Sequence, residues 1–435
     1  MKPEESSFPM HKFYIKTFGC QMNKNDSDLV QEILVENGYL PTENIGEAEI
    51  ILINTCSVRK HAEERAFGYI ATLKKWRQNK GLLLGVVGCM AQRLAGEIIA
   101  KYPFVDLILG PDSYRRIPDY LKTILQEKTK IIDTELGLEL YTDICRRSKR
   151  IADFVSITRG CNNFCSYCIV PFVRGPLRSR PVADILKEVN ELVAAGVKDI
   201  TLLGQNVNEY HYQEINFPKL LKLIAQKSGV FRLRFLTSHP KDFDYELIQV
   251  VKENKNICEW FHLPLQSGNN RILQLMNRKY TKEDYLCKIE KIRKEIPDAT
   301  ITTDIIVGFP TETEEEFQET LELVKKIEFD DAYMYRYSYR PGTKAGEYPS
   351  LPEAVIKERL KILIDMQNEI IKEKTTRMIG KIYEVLFEER AQEGTRGKTR
   401  GNKDVIVEGE ITPGAVHRVL ITKIKGRTPI GEIID

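Results

Sequence analysis

Three cysteines, Cys161, Cys165 and Cys168, stand close together in the sequence. Their x3 and x2 spacing lets three thiolates bind three corners of a cubic iron–sulfur cluster, which leaves one iron without a protein ligand. A cluster that only transfers electrons generally has four cysteine ligands, whereas an open iron can bind a small molecule. Zinc sites more often use two separated Cys-x2-Cys pairs, and this sequence has no second pair. The spacing favours an iron–sulfur cluster, with zinc or a chance group of thiols as the alternatives.

A second set of cysteines follows predicted strands. Over the first 110 residues, β-rich runs alternate with amphipathic helical patterns, which predicts a parallel, doubly wound sheet. Cys20, Cys56 and Cys89 each come just after a different strand, at the edge where such sheets bind ligands. We expect the three thiols to converge there; the alternative is three buried structural thiols. The predicted strands are Lys12–Phe18, Ile50–Asn54, Leu82–Val87 and Val105–Leu109, and the predicted helices are Asp26–Asn37, Lys60–Asn79 and Arg93–Tyr102.

A second alternation of strands and helices begins at Asp153 and has six units. Six units in about 190 residues predict an incomplete (βα)6 barrel, because a closed eightfold barrel typically needs about 250. The loop with Cys161, Cys165 and Cys168 follows the first of its strands. The predicted strands are Phe154–Thr158, Asp199–Leu203, Arg232–Leu236, Trp260–Leu263, Ile301–Val307 and Ala332–Ser338, with helices such as Val182–Ala195 and Thr313–Lys326 between them.

Polar residues cluster at the carboxyl ends of these strands, where a barrel places its chemistry. Any one of them is explained by turn formation, but six polar strand ends in one barrel indicate a ligand site. Tyr167 precedes the last cysteine and suits stacking on an aromatic ligand, or else a place in the core. The candidate ligand-binding residues are Tyr167, Gln205, Asn206, Ser238, Gln266, Asp304 and Arg340.

The composition changes again after the helical stretch Pro352–Lys374. From Lys374 to Asp435, short β-runs broken by glycines predict a small β-barrel. This segment holds 12 Lys and Arg against 9 Asp and Glu, which is the whole net charge of +3. Its most basic piece, Thr395–Lys403, suits contact with a phosphate backbone, and an ordinary solvated loop is the alternative. The predicted strands are Lys381–Phe387, Asp404–Glu408, Val416–Lys423 and Thr428–Ile434.

The composition is that of an intracellular enzyme. With 435 residues and 42% hydrophobic content, the chain is long enough for two or three domains. Residues 1–10 contain no apolar stretch, and no run of eighteen apolar residues occurs anywhere, so we expect neither a signal peptide nor a membrane span. An odd number of cysteines, nine, favours metal ligands and buried thiols over disulfides. We therefore expect a cytoplasmic protein.

Together these motifs resemble the methylthiotransferase family of radical S-adenosylmethionine enzymes over essentially the whole chain. The resemblance rests on Thr17–Asn23, Asn54–Arg59, Gly88–Gln92, Gly160–Pro171 and Arg174-Gly175, with all six cysteines in place. It implies an amino-terminal methylthiotransferase domain (1–132), a linker (133–152), a radical S-adenosylmethionine core (153–373) and a TRAM-like RNA-binding domain (374–435). The fold class it implies is α/β, with a doubly wound sheet, a (βα)6 barrel and a small β-barrel in that order.

The resemblance also implies a reaction and its cofactors. Two [4Fe–4S] clusters are implied, one on Cys161, Cys165 and Cys168 that cleaves S-adenosylmethionine to a radical, and an auxiliary one on Cys20, Cys56 and Cys89 that supplies sulfur. S-adenosylmethionine would serve as radical source and methyl donor. The residues flanking the cysteines favour the branch of the family that adds a methylthio group to C2 of N6-isopentenyladenosine at tRNA position 37. No catalytic residue beyond the cluster ligands is implied.

The implied partners are the tRNA anticodon stem-loop and an electron donor such as a flavodoxin or ferredoxin, with no membrane and a monomeric protein. Two sister branches act on threonylcarbamoyladenosine of tRNA and on an aspartate of a small-subunit ribosomal protein. A remote alternative is an RNA-binding iron–sulfur protein without activity. That alternative needs a fourth cluster ligand near Cys168, and none of Cys145, Cys258 and Cys287 is well placed.

Overall fold

The computed structural model describes residues 11–58 and 60–435 of the chain. Residues 1–10, in which the sequence predicts no signal peptide, and Arg59 lie outside the described residues. The chain divides into two compact units. The first unit runs up to Arg147 and also includes Arg159–Asn162 and Ile169–Arg180; the second contains Ser148–Thr158, Asn163–Cys168 and Pro181–Asp435.

The first unit is built on a parallel six-stranded sheet with the order β2-β1-β3-β4-β5-β6. Its strands are β1 (Lys12–Phe18), β2 (Leu40–Pro41), β3 (Ile50–Thr55), β4 (Leu83–Gly88), β5 (Leu107–Leu109) and β6 (Ile131–Asp133). Its helices are α1 (Gln21–Glu36), α2 (Lys60–Thr72), α3 (Lys74–Lys80), α4 (Cys89–Lys101), α5 (Ile117–Glu127) and α6 (Val170–Arg174). The predicted doubly wound sheet is confirmed.

Both faces of this sheet are covered, which explains the continuous apolar runs in its central strands. Every residue of β3 and β4 is buried, and two separate apolar clusters lie around the sheet. Two helices begin earlier than predicted: α1 starts at Gln21 rather than Asp26, and α4 starts at Cys89 rather than Arg93. The predicted helix Lys60–Asn79 is divided at Leu73 into α2 and α3.

The second unit contains six parallel barrel strands in two groups of three, β7-β10-β13 and β14-β15-β16. A parallel bridge between Leu233 and Ile257 connects the two groups. The barrel strands are β7 (Ala152–Ser156), β10 (Asp199–Leu203), β13 (Arg232–Phe235), β14 (Trp260–His262), β15 (Thr300–Val307) and β16 (Asp331–Arg336). All six predicted strands occur, so the incomplete (βα)6 barrel is confirmed.

Helices alternate with these strands and enclose one large apolar core. Several begin at side-chain caps that satisfy their first N–H groups, such as Thr281 for α11 and Thr313 for α12. The helices are α7 (Val182–Ala194), α8 (Phe217–Ala225), α9 (Tyr245–Glu253), α10 (Asn270–Leu275), α11 (Lys282–Glu295), α12 (Glu314–Ile327) and α13 (Glu353–Thr376). The second unit also contains the two-residue strands β11 (His211–Tyr212) and β12 (Ile215–Asn216). Strand β9 (Arg178–Ser179) belongs to the first unit, and β8 (Thr158–Arg159) has one residue in each unit.

The carboxyl-terminal segment forms a closed five-stranded barrel in the order β17-β18-β19-β21-β20. Its strands are β17 (Ile382–Ala391), β18 (Gly394–Thr399), β19 (Asp404–Val407), β20 (Val416–Lys425) and β21 (Thr428–Ile433). The predicted small β-barrel is confirmed, but the prediction of a flexible basic loop at Thr395–Lys403 is wrong. Most of that segment is β18, which pairs with both β17 and β19. Its glycines fit close strand packing, because a Cβ on Gly397 would lie 2.5 Å from the Leu386 carbonyl oxygen.

The end of β18 and the turn after it are held against the (βα)6 barrel of the same unit. Arg234 donates to the carbonyl oxygens of Thr399 and Arg400 at 3.0 and 2.6 Å. Arg400 in turn forms an ion pair with Glu259 at 2.7 Å. Burial lowers the pKa of Lys403 below its ordinary value. Arg400 and Lys403 therefore serve packing within the second unit, which corrects the expectation that they face solvent.

None of the helices in residues 11–58 and 60–435 is long and apolar enough to cross a membrane.

Candidate functional site

The carboxyl edge of the first unit's sheet carries the first cysteine set. Cys20 follows β1 and caps α1, Cys56 follows β3, and Cys89 follows β4 as the first residue of α4. The three strands are neighbours, and the chain changes direction across the sheet between β1 and β3. Ligands bind at such a switch point in doubly wound sheets. The structure thus places the three cysteines where the sequence predicts them.

Glycines allow the three loops to approach one another closely. A Cβ on Gly19 would lie 2.7 Å from the Cβ of Cys56. Gly88, directly before Cys89, has φ +96° and ψ −162°, which a residue with a Cβ rarely adopts. A Cβ on Gly88 would lie 2.7 Å from the Thr55 carbonyl oxygen. Both glycines are therefore required for the cysteine-bearing loops to meet.

Buried amide side chains fix the loops in place. The Asn23 side chain donates to Asn54 Oδ1 and to the Thr55 carbonyl oxygen, each at 3.1 Å. Asn54 donates back to the Asn23 carbonyl oxygen at 2.9 Å. Asn23 Oδ1 accepts a hydrogen bond from Cys20 Sγ at 3.3 Å. These bonds connect the start of α1 to the end of β3, so the positions of Cys20 and Cys56 are coupled.

The three thiols differ in acidity because they lie close to one another. A hydrogen bond from Cys56 and the charge of Arg174 lower the pKa of Cys20 to about 6, against the opposing effect of burial. The hydrogen bond to Cys20, with burial, raises the pKa of Cys56 well above its usual value. Burial raises the pKa of Cys89, although Arg174 acts against it. One thiolate is therefore favoured at neutral pH, and thiolates are the form that binds iron.

Two buried arginines and one buried carboxylate lie beside these thiols. Arg174 Nε donates to Cys89 Sγ at 3.1 Å, and Arg174 Nη2 donates to Asp26 Oδ2 at 2.7 Å. Arg159 Nη1 donates to Asp26 Oδ1 at 3.0 Å. Burial acts to raise the pKa of Asp26, but Arg159 and Arg174 outweigh it and lower that pKa. The group therefore has two positive charges and one negative charge.

These residues fit a cubic iron–sulfur cluster. The donor set consists of three convergent thiols, the ligands that such clusters use. Arg174 Nη1 is buried and has no hydrogen-bond partner within the described residues, so it is a donor left over for a further acceptor. The described ranges contain no three His, Cys, Asp or Glu side chains placed to hold one metal ion. A cubic cluster does not require three ligands around one metal ion, because each thiolate binds a different iron.

The second cysteine motif follows β7. The contact pattern assigns Cys161 to the first unit and Cys165 and Cys168 to the second. Within the first unit, Cys161 N–H donates to the Gly175 carbonyl oxygen at 3.2 Å. Within the second, Cys168 N–H donates to the Cys165 carbonyl oxygen at 2.9 Å, which forms a tight turn between the two. Arg278 Nη1 donates to Cys165 Sγ at 3.4 Å.

Arg278 is a buried cation, 4% exposed, whose other partners are neutral. It donates to Tyr280 Oη at 3.1 Å and to the Pro264 carbonyl oxygen at 3.1 Å. Its guanidinium lies 5.3 Å from the centre of the Tyr280 ring. Buried charges usually have a counter-charge, and a negatively charged sulfur cluster at Cys165 would supply one.

The structure brings four of the predicted strand-end residues together in pairs. Asn206 Oδ1 accepts the His239 N–H at 3.1 Å, which puts it beside Ser238. Gln266 N–H donates to the Asp304 carbonyl oxygen at 2.8 Å. Ser238 Oγ and Gln266 Oε1 are buried without a hydrogen-bond partner in the described part of the chain. Buried polar atoms of this kind suit hydrogen bonds to a bound ligand.

Asn206 behaves differently from Ser238 and Gln266. Its side-chain nitrogen donates to Asp242 at 2.7 Å and to Glu209 at 3.1 Å. With the oxygen bonded to the His239 N–H, both ends of the amide have partners inside the protein. These contacts favour a structural role for Asn206.

The remaining candidates are spread around the barrel. Tyr167 is half-buried and packs against an apolar cluster that includes Met276 and Phe309. This packing supports the alternative that Tyr167 is a core residue. Asp304 lies within β15 and comes within 3.5 Å of His262 Nε2. Arg340 is buried, and Gln205 is half-buried after β10.

Sequence reasoning did not assign a role to Asp26, Arg174 or Arg278. Charged residues are rarely fully buried, so a pattern search treats them as surface residues. Arg174-Gly175 stands in the sequence that carries the family resemblance, and this is the one signal that pointed to Arg174. No signal in the sequence marks Asp26 or Arg278.

The sheet, the barrel and the cysteine sets define an iron–sulfur protein of the radical S-adenosylmethionine class. Residues 155–324 match the Radical SAM superfamily, and residues 12–110 match a family described as uncharacterized protein family UPF0004. A tRNA-2-methylthio-N(6)-dimethylallyladenosine synthase of Parabacteroides distasonis is 44% identical over 441 residues, covering 98% of this chain and 96% of the relative. One from Caldicellulosiruptor saccharolyticus is 46% identical over 407 residues, covering 91% and 86%. The chain belongs to the tRNA-2-methylthio-N(6)-dimethylallyladenosine synthase family.

Solved structures show the same fold at low identity. The radical S-adenosylmethionine methyltransferase TsrM from Kitasatospora setae aligns with a TM-score of 0.60 at 14% identity, covering 77% of this chain and 74% of its own. The cobalamin-dependent S-adenosylmethionine radical enzyme OxsB aligns with a TM-score of 0.53 at 11% identity, covering 84% and 56%. These likenesses concern the fold alone.

Proposed function

We propose that this chain is a tRNA methylthiotransferase that adds a methylthio group to C2 of N6-isopentenyladenosine at position 37. The observation that carries the proposal is the convergence of Cys20, Cys56 and Cys89 at one sheet edge, in a chain that also has a Cys-x3-Cys-x2-Cys motif. The cofactors are those of the family, two [4Fe–4S] clusters and S-adenosylmethionine. The two sets imply two separate tasks, since one open iron cannot serve both radical formation and sulfur supply.

We assign the cluster that binds S-adenosylmethionine to Cys161, Cys165 and Cys168, and the auxiliary cluster to Cys20, Cys56 and Cys89. When bound, these groups supply radical and sulfur chemistry that side-chain acids and bases cannot provide at an aryl C–H bond. The protein positions the reactants and excludes water. Ser238 and Gln266, with their unpartnered buried oxygens, are the cofactor contacts best supported by the structure. Tyr167, Gln205, Asp304 and Arg340 remain candidates, and Asn206 is a weaker one.

Variants of the two cysteine sets test this assignment. Anaerobically reconstituted protein should bind about eight irons, and alanine at either full set should leave about four. Alanine at Cys161, Cys165 and Cys168 should abolish 5′-deoxyadenosine formation. Alanine at Cys20, Cys56 and Cys89 should retain that formation but give no methylthio product. Cleavage of S-adenosylmethionine by the variant without Cys161, Cys165 and Cys168 would contradict the assignment. Methylthiolation of tRNA by the variant without Cys20, Cys56 and Cys89 would contradict it as well.

Nucleoside mass spectrometry identifies the substrate. Transfer RNA from cells without the gene should accumulate N6-isopentenyladenosine and lack its 2-methylthio derivative. Accumulation of unmodified threonylcarbamoyladenosine, or loss of a methylthiolated ribosomal aspartate with normal tRNA, would instead assign the chain to a sister branch. Retention of all these modifications would favour an RNA-binding protein without activity.

We propose further that the domains are those the resemblance implies (1–132, 153–373 and 374–435, with a linker at 133–152), and that the last binds tRNA. The protein would act in the cytoplasm as a monomer, with a flavodoxin or ferredoxin as electron donor. Because Arg400 and Lys403 are used in packing, the exposed cations of β20 are better placed for phosphate contact; these are Arg418, Lys423 and Lys425.

Serine at Arg418, Lys423 and Lys425 tests the RNA contact without exposing buried groups. Deleting the whole terminal barrel would expose buried groups, because Arg232 and Arg234 donate hydrogen bonds to its backbone. The triple variant should bind tRNA more weakly and with a shallower slope of log affinity against log salt. Equal affinity and slope in variant and wild type would exclude β20 from the interface.

A further inference from the structure

Arg174 has features of a residue that acts on a sulfur cluster and not only on the fold. It lies at the end of α6 and is 4% exposed, so its charge is out of water. Two of its nitrogens are bonded, Nε to Cys89 Sγ at 3.1 Å and Nη2 to Asp26 at 2.7 Å. The third, Nη1, is buried with no partner within the described residues. A guanidinium presents its donors in a rigid plane, so the free donor lies on the same planar group as the one bonded to sulfur.

The charges of the buried arginine and aspartate side chains do not cancel one another. Arg174 and Arg159 contribute two positive charges, and Asp26, 0% exposed, contributes one negative charge. Arg159 has further neutral partners, the Pro111 carbonyl oxygen at 3.2 Å and the ring of Tyr141 at 4.9 Å. Leaving the thiols aside, one buried positive charge is left over, and in the apoprotein the Cys20 thiolate balances it.

An auxiliary cluster bound by the three thiolates would also supply one negative charge. An oxidised [4Fe–4S] core carries about two positive charges and its three thiolates carry three negative ones, so the assembly has about one negative charge. That matches the excess of the arginine group. Reduction adds a second negative charge, which a nearby guanidinium stabilises. Hydrogen bonds to cluster sulfurs and neighbouring charges are established controls of reduction potential.

We propose that Arg174 is a positioning residue for the auxiliary cluster: it donates hydrogen bonds to sulfur and makes the cluster easier to reduce. Asp26, anchored by Arg159, holds the guanidinium in place and partly offsets its charge. This inference rests on the proposed function, because it takes Cys20, Cys56 and Cys89 as cluster ligands. It predicts opposite shifts in potential for loss of Arg174 and loss of the Asp26 charge.

The test measures the midpoint potential of the auxiliary cluster alone. The full chain with Cys161→Ala, Cys165→Ala and Cys168→Ala serves as background, so one cluster contributes to an EPR-monitored redox titration. In this background, Arg174→Gln should lower the midpoint potential by at least about 59 mV. For one electron, that shift corresponds to a tenfold change in the ratio of reduced to oxidised cluster. Asp26→Asn should raise the midpoint potential, and Arg174→Lys, which retains the charge, should lie between Arg174→Gln and the background.

Arg234→Gln is the matched control. Arg234 is a buried arginine that pairs with Asp199 at 2.8 Å. Its other hydrogen bonds go to the Thr399 and Arg400 carbonyl oxygens, and none of them involves sulfur or Arg174. Its replacement should leave the potential unchanged. An equal shift in this control would show that any buried arginine has the effect, and would overturn the inference.

Iron content separates failure of this inference from failure of the proposed function. If the background protein binds no cluster, Cys20, Cys56 and Cys89 are not its ligands and the proposed function fails. If it binds about four irons and neither Arg174→Gln nor Asp26→Asn moves the potential, the inference alone is overturned. If Arg174→Gln does not retain a cluster, the Asp26→Asn result decides: a positive shift supports the inference, and no shift overturns it.

Discussion

Gly88→Ala should disrupt the auxiliary site through the backbone. Gly88 ends β4 directly before Cys89, with φ +96° and ψ −162°. An added Cβ would lie 2.5 Å from Asn54 Oδ1, 2.7 Å from the Thr55 carbonyl oxygen and 3.2 Å from the Thr55 nitrogen. Two of these atoms belong to the backbone of the neighbouring strand, which cannot rotate away as a side chain can. Relief of the clash therefore requires β4 to move relative to β3.

The expected cost has two parts. A non-glycine residue in this backbone region costs about 1–3 kcal/mol. Forcing a methyl group into packed surroundings costs typically about 1–3 kcal/mol more. The total, roughly 2–6 kcal/mol, is a large fraction of the stability of a typical domain. Movement of β4 also displaces Cys89 from Cys20 and Cys56, so iron binding should suffer as well as folding.

Thermal unfolding of the apoprotein and iron content after reconstitution measure the two effects. Gly88→Ala should unfold at a lower temperature and bind about four irons instead of eight. Gly96→Ala is the control, because Gly96 lies in α4, in the same helix as Cys89, with nothing within 4 Å of an added Cβ. It should stabilise the protein by about 0.5–1 kcal/mol. Wild-type stability and iron content in Gly88→Ala would refute the assigned geometry.

Three further predictions concern buried charges. Asp26→Asn should destabilise the apoprotein by about 3–5 kcal/mol above pH 4, because it leaves two buried arginines unpaired. Since the folded-state pKa of Asp26 is lowered, this stabilisation should be lost as the pH falls below 4, and urea titrations of the variant should lack that loss. Arg278→Gln should weaken iron retention at Cys165 and slow 5′-deoxyadenosine formation, while the auxiliary cluster persists; unchanged cleavage would contradict it. Arg400→Ala should loosen the terminal barrel by about 1–2 kcal/mol, because Glu259 is part-exposed and screened, with faster proteolysis after α13 as the measure.

The strands and the positions of the cysteines could be predicted because they depend on local pattern. Continuous apolar runs such as Ile50–Thr55 mark buried parallel strands, and residues that follow such strands share one edge. The starts of α1 and α4 were predicted too late. Gln21 and Cys89 begin these helices in polar or glycine-rich sequence that resembles a loop. The contacts that fix them involve Thr55 at the end of β3 and Ser57 just after it.

The function of individual charges could not be predicted, because it depends on partners distant in sequence. Arg400 looks like part of a basic loop until Glu259, 141 residues away, is seen beside it. Asp26 looks like an ordinary helix residue, yet its partners are 133 and 148 residues away. Composition gives the sign of a charge but not its surroundings, and the surroundings decide between solvent, RNA and a buried ion pair.

The two cysteine sets share a feature that links their electrostatics to their chemistry. In the first unit, Arg159 and Arg174 exceed Asp26 by one charge. In the second, Arg278 bonds to Cys165 Sγ and to neutral oxygens. Thiols aside, the contacts beside Cys89 and those beside Cys165 each contain one more buried positive charge than negative charges.

In the first unit, this excess matches the charge of about minus one expected of an oxidised cluster held by three thiolates. The apoprotein should accordingly gain stability when clusters are bound, as folding linked to metal binding requires. Reconstitution should raise the unfolding temperature of wild type more than that of Arg174→Gln. An equal rise in both proteins would mean that the buried arginine does not compensate the cluster.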